Sequence, residues 1–200
     1  TSHRLVNKPA SFRLGLTQLP ELHTDGLWPA QRTAILNLEN SFATDRPRAL
    51  IQMATGSGKT FTAVSTVYRL IKHAGARRVL FLVDRGNLGD QTEKEFQQYI
   101  TPDDGRKFAE LYNIQRMTTN RVDGVAKVCI GTIQRMYAML QGKEFSEEDE
   151  EAPLAGLESL HRQPLPVVYN PDIPVETFDV VIVDECHRSI YTLWRQVLAY

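Results

Sequence analysis

The residues whose types and spacing carry the clearest chemistry are Ala54-Thr55-Gly56-Ser57-Gly58-Lys59-Thr60. Glycines at this spacing let backbone N–H groups turn inward around a phosphate, and the open N–H groups of a following helix face it. Lys59 has the reach for β- and γ-phosphates, and the Thr60 hydroxyl can ligate Mg²⁺. A nucleoside triphosphate is the expected ligand. The strict G-x-x-x-x-G-K-[ST] pattern is not fully met, because Met53 stands at its first glycine position. A second cluster, Asp184-Glu185-Cys186-His187, closes the β-branched run 178–183. An aspartate at a strand's carboxyl end can hold Mg²⁺ through water, and the next glutamate can orient or deprotonate an attacking water. The two motifs supply complementary halves of one hydrolytic site. Cys186 beside the acids is better read as packing than as a ligand or nucleophile, having one histidine and no other cysteine near it.

These residues need elements to position them. The apolar run 49–53 predicts a buried strand entering the glycine-bearing turn, and Phe61, Val64, Tyr68 and Ile71 predict a helix leaving it. Residues 79–83 form a continuous apolar run suited to a buried parallel strand, ending in Asp84-Arg85-Gly86-Asn87 before a helix with Leu88, Gln91 and Phe96. Ligands of open α/β sheets collect at strand carboxyl ends, so Arg85 sits on the functional edge. It can pair with a nucleic-acid phosphate or with Asp84 or Asp90, and spacing does not choose among these. Residues 125–130 predict another strand, closing at Gly131-Thr132, with Ile133, Met136 and Leu140 on a following helix. Residues 108–112 suggest a short strand. Upstream, Pro29 suits a first helical position, with Ile35, Leu38 and Phe42 as the apolar stripe after it. Gln31 lies on that helix, where spacing alone makes it a solvated glutamine; its amide also has the donor and acceptor to read an adenine edge.

At 200 residues the chain suits one well-packed α/β domain, preceded by an irregular lead-in over residues 1–26. The net charge is −1, so no global basic field advertises nucleic acid. Six of the acids, Glu144, Glu147, Glu148, Asp149, Glu150 and Glu151, fall in one segment, and without them the remainder is net basic. Residues 142–174, with this run and five prolines, read as an exposed insertion, and 144–153 are expected to lack a fixed structure. Two distant cysteines indicate reduced thiols in a cytoplasm, and no apolar run approaches the ~20 residues of a membrane span. The absence of an initial methionine, and an apparent helix with no capping signal at Tyr200, lead us to expect a fragment of a longer protein.

The motifs together resemble superfamily 2 helicase-like ATPases of the DExH type. Residues 53–60 and 184–187 look like motifs I and II, and Val83-Asp84-Arg85 like motif Ia. Gly131-Thr132 resembles a nucleic-acid-contacting motif, and 27–32 the adenine-recognition element. Met53 is ordinary in that superfamily, whereas it counts against a GTPase or small-molecule kinase. Residues 81–91, and 184–191 continuing through Leu193-Trp194-Arg195-Gln196, resemble more specifically the motor (R) subunit of type I restriction-modification enzymes. The likeness covers 27–200 and implies the first RecA-like lobe of an ATP-dependent translocase acting on double-stranded DNA. ATP and Mg²⁺ are the implied cofactors, and methylation and specificity subunits the implied partners.

By the same resemblance, Gln31 reads adenine, residues 55–60 hold phosphates and His187 senses the γ-phosphate. Lys59, Asp184 and Glu185 carry hydrolysis, while Arg85 and Thr132 contact the DNA backbone. No nuclease motif of the Asp…Glu-x-Lys kind is evident. Motif III and the second lobe are expected beyond Tyr200, so the lobe alone should hydrolyse little. The competing expectations are a DNA-repair or RNA helicase of the same superfamily, and a nucleotide-binding module without turnover.

Overall fold

The computed structural model describes residues 11–145, 169–185 and 197–200. They fall into two compact units, residues 1–76 and 77–200. The first unit is helical, with α1 (Phe12–Leu16), α2 (Pro29–Ala43) and α3 (Lys59–Lys72). Ser11 caps α1 by accepting from Leu14 N–H, so the lead-in is not wholly irregular. Gly15 of α1 lies so close to the Ala74 backbone that a β-carbon there would collide with it, which brings α1 against the end of α3.

Pro29 opens α2 as expected, and the Gln31 side chain accepts from Trp28 N–H (2.9 Å) to close that first turn. The buried positions of α2 are Gln31, Ile35 and Glu39, a stripe at four-residue spacing with polar residues at both ends. Glu39 takes two hydrogen bonds from Arg69 of α3 (2.5 and 3.0 Å). Arg69 also donates to the carbonyls of Pro20 and Glu21, which pins the lead-in to the helix pair. Every nitrogen of this buried guanidinium therefore meets an acceptor, the condition under which a buried ion pair is tolerated.

Residues 46–54 carry no regular structure, which corrects the strand expected before the glycine turn. Leu50 is 75% exposed. Apolar sequence is insufficient for a strand, because the backbone must have a neighbour to pair with. The described residues of the first unit contain no strand.

The second unit is built on a four-stranded, all-parallel sheet of β1 (Val79–Val83), β2 (Ile114–Arg116), β3 (Val128–Thr132) and β4 (Val180–Val183). The spatial order is β2-β3-β1-β4. β1 and β3 are buried at every position, as a parallel sheet covered on both faces requires. On one face α4 (Gly86–Gln98) sets Phe96 edge-on between Phe81 and Phe108, with ring centres 6.0 and 5.2 Å away. On the other face α6 (Ile133–Leu140) packs Ile133, Met136 and Tyr137 against Leu80, Leu82 and Cys129. The alternation of Phe81 with Leu80 and Leu82 is the period of two that divides a strand between faces.

Phe108–Leu111 forms a single helical turn (α5) rather than the short strand expected there. Phe108 and Tyr112, four residues apart, meet at 5.2 Å. The strand begins only at Ile114. At the amino-terminal edge of the sheet Asp179 accepts from the backbone N–H groups of Arg77 (2.6 Å) and Arg78 (3.3 Å) and from the Arg77 guanidinium (3.2 Å). Its own N–H donates to Arg78 O, so this residue ties the start of β4 to the start of β1. The parallel sheet with helices on both faces agrees with the RecA-like α/β plan, mostly parallel, expected from the sequence. The acidic run from Glu147 onward, Cys186, His187 and the 193–196 part of the expected C-terminal helix lie outside the described residues, while 197–199 are helical.

Candidate nucleotide and nucleic-acid sites

In the first unit the phosphate-type loop is a tight turn. Ser57 donates to Ala54 O from both its N–H (3.2 Å) and its hydroxyl (2.6 Å). Gly56 and Gly58 have φ of 77° and 76°, the left-handed region where a β-carbon costs roughly 1–2 kcal/mol. Gly58 is the N-cap of α3, and no side chain caps that helix. The positive end of α3 is therefore presented by backbone amides alone, with Lys59 and Thr60 as its first two residues. Around Gly56 there is open space where a β-carbon would point. The donor set fits a phosphate group.

Spacing alone favours a solvated Gln31, and its setting corrects that. It is 5% exposed, not solvated. Its Nε2 donates to Ser57 O (3.2 Å), and a β-carbon on Gly58 would collide with that nitrogen. The same amide thus closes the first turn of α2 and buttresses the loop. Gly58 has two reasons to be glycine, its backbone conformation and the glutamine packed on it.

In the second unit the parallel register gathers three candidates on one edge. Val83 pairs with Thr132, Leu82 pairs with Val183, and Asp184 N–H donates to Leu82 O (2.9 Å). The carboxyl ends of β1, β3 and β4 therefore lie side by side, with Arg85, Thr132 and Asp184 at or just beyond them. Glu185 has φ of 51°, unusual for a residue with a side chain, and its N–H donates to Asp184 Oδ1 (2.9 Å). Strain of this kind, about 1–3 kcal/mol, concentrates at functional positions. Hard carboxylate and hydroxyl oxygens suit Mg²⁺, which keeps several waters and needs few protein ligands.

Arg85 is the N-cap of α4, extended in backbone, with its side chain 53% exposed and Nε 3.7 Å from Asp84 Oδ2. Of the alternatives left open by spacing, Asp90 is taken by Arg116 (3.1 Å), a residue that motifs could not point to because β2 carries none. Thr132 has no exposed surface, and its hydroxyl accepts from Arg135 N–H (3.2 Å) as the N-cap of α6. In this conformation it organises the β3–α6 turn, and direct contact with a DNA backbone would require that turn to open.

A family model described as "Type III restriction enzyme, res subunit" matches residues 25–200. The chain is 29% identical over 185 residues to the type I restriction enzyme EcoKI endonuclease subunit of Escherichia coli K12, covering 92% of this chain and 13% of that protein. It is 30% identical over 177 residues to the EcoAI endonuclease subunit of Escherichia coli, covering 85% and 17%. With the SauCOLORF180P endonuclease subunit of Staphylococcus aureus strain COL the identity is 31% over 135 residues, covering 68% and 12%. The chain spans less than a fifth of the length of these relatives.

Proposed function

The chain belongs to the family of the type III restriction enzyme res subunit, and from that premise we propose that it is the ATP-binding and hydrolysing lobe of a DNA translocase. The observation that carries this is the loop of the first unit. Two left-handed glycines lead into a helix capped by no side chain, with a buried glutamine holding the turn. Likeness to type I endonuclease subunits supports the motor subunit of a restriction-modification enzyme as its setting.

In this reading residues 27–200 act as one ATPase lobe. The amides of 56–60 and the Lys59 ammonium bind the triphosphate, and Gln31 holds the loop and faces the adenine. Mg²⁺, when bound, would neutralise charge on the β- and γ-phosphates, held by Thr60 and Asp184. Glu185 orients the attacking water and accepts its proton, and His187 relays the state of the γ-phosphate. Arg85 contacts the phosphate backbone of duplex DNA, a contact that positions the strand without reading bases. Sequence choice then belongs to a specificity subunit and protection to a methylation subunit. The setting is cytoplasmic. Among the described residues no helix is long and apolar enough to cross a membrane.

The test is the steady-state ATPase rate of the intact protein with duplex DNA or with RNA. Stimulation by duplex DNA and not by RNA is expected. Stimulation by RNA alone would move the assignment to an RNA helicase, and no turnover with either would leave a binding module.

A further inference from the structure

Arg116 has no part in the chemistry above, yet its side chain is densely bonded beside the turn that carries Arg85. It leaves the last residue of β2 with its side chain 10% exposed. Its Nε donates to Asp90 Oδ1 (3.1 Å), its Nη2 to Gly86 O (3.3 Å) and its Nη1 to Met117 O (3.1 Å). The guanidinium lies against α4 at Gly89, where a β-carbon would meet Nε at 2.6 Å and Cζ at 2.8 Å. Gly89 has an ordinary helical backbone, so this close approach is what calls for a glycine there.

Stability alone accounts poorly for the arrangement. A cation set against the first turn of a helix opposes the positive end of the helix dipole. Its carboxylate partner Asp90 is 62% exposed, and pairs of that kind contribute little. What the fork does supply is direction. It joins β2 to the peptide of Gly86, the residue after Arg85, and to Asp90 one turn further on. The helix start that carries Arg85 is thereby fixed relative to the sheet edge.

We propose that Arg116 is a positioning residue for nucleic-acid binding: it clamps the first turn of α4 through Gly86, Gly89 and Asp90 so that Arg85 is held ready for a backbone phosphate. This rests on the assignment of Arg85 to DNA binding, and the test separates the two. Binding of a fluorescent duplex to the intact protein is measured by anisotropy across a series of salt concentrations. Removing one protein–phosphate interaction lowers the slope of log K against log salt by about 0.9. Arg85→Ala should show that reduction, Arg116→Ala should show most of it, and the double variant should show no more than Arg85→Ala alone. Gly89→Ala guards against a folding defect, since alanine is the better helix former and its methyl displaces only the guanidinium. It should lower the slope with Arg116 present and change nothing in the Arg116→Ala background. An unaltered slope in Arg116→Ala or Gly89→Ala, with Arg85→Ala reduced, overturns the positioning role. An unaltered slope in Arg85→Ala overturns the role of Arg85 in DNA binding, and the clamp's purpose with it.

Discussion

Gly58 answers to two demands in a single residue. Its φ of 76° belongs to the left-handed region, and its missing β-carbon leaves room for the Gln31 amide. Gly58→Ala should therefore strain the turn and dislodge Gln31 together, moving the amides proposed to bind a phosphate. A loss of roughly 1–2 kcal/mol corresponds to about a tenfold or greater weakening of ATP binding. Calorimetric titration of the intact protein measures it, and unchanged affinity would remove Gly58 from the phosphate cradle. Glu185, with φ of 51°, is the complementary case, a side chain proposed to be functional and kept at a position where glycine would be easier. Cys129 is the contrast. Burial in β3 pushes its thiol up to about 12, so it stays protonated, a packing residue rather than a nucleophile.

At the scale of elements, the start of β4 depends on Asp179 as much as on its apolar run. Burial alone would raise the pKa of this carboxyl. The hydrogen bonds from Arg77 and Arg78 outweigh burial and hold it below the ordinary aspartate range. A lowered carboxyl stabilises the fold fully above its unfolded pKa and loses that stabilisation as pH falls through the folded one. Urea unfolding should show Asp179→Asn less stable than wild type by about 1–3 kcal/mol at neutral pH. The gap should shrink as pH drops below about 4. A gap independent of pH would mean that the carboxylate charge is not what ties β4 to β1.

The legible elements are those whose signal is internal. The runs of β1 and β3 are buried on both faces, and Pro29 starts α2. Residues 49–53 misled because apolar sequence cannot report whether a partner strand accompanies it. Residues 108–112 misled because the same aromatic spacing serves a helical turn. The loop-holding role of Gln31, and Arg116 altogether, are hidden from sequence for a related reason. The role of each is set by a residue distant in sequence, Ser57 for one and Asp90 for the other.

For the whole molecule, the first unit carries the phosphate-type loop and the second carries the carboxyl edge of the sheet, and an ATP hydrolase is what we propose they serve. Neither unit carries the complete set alone: Lys59 and Thr60 belong to one, Asp184 and Glu185 to the other. The relatives are far longer proteins, so activity is a property to measure in the intact protein. The role proposed for Glu185 is to activate the water that hydrolyses ATP. The direct measurement is the ATPase rate of intact Glu185→Gln at saturating duplex DNA, beside its ATP affinity. Loss of a positioned acid–base group typically costs about 10²–10⁴-fold in rate. We predict a fall in that range with ATP affinity retained; turnover near the wild-type rate would contradict the account.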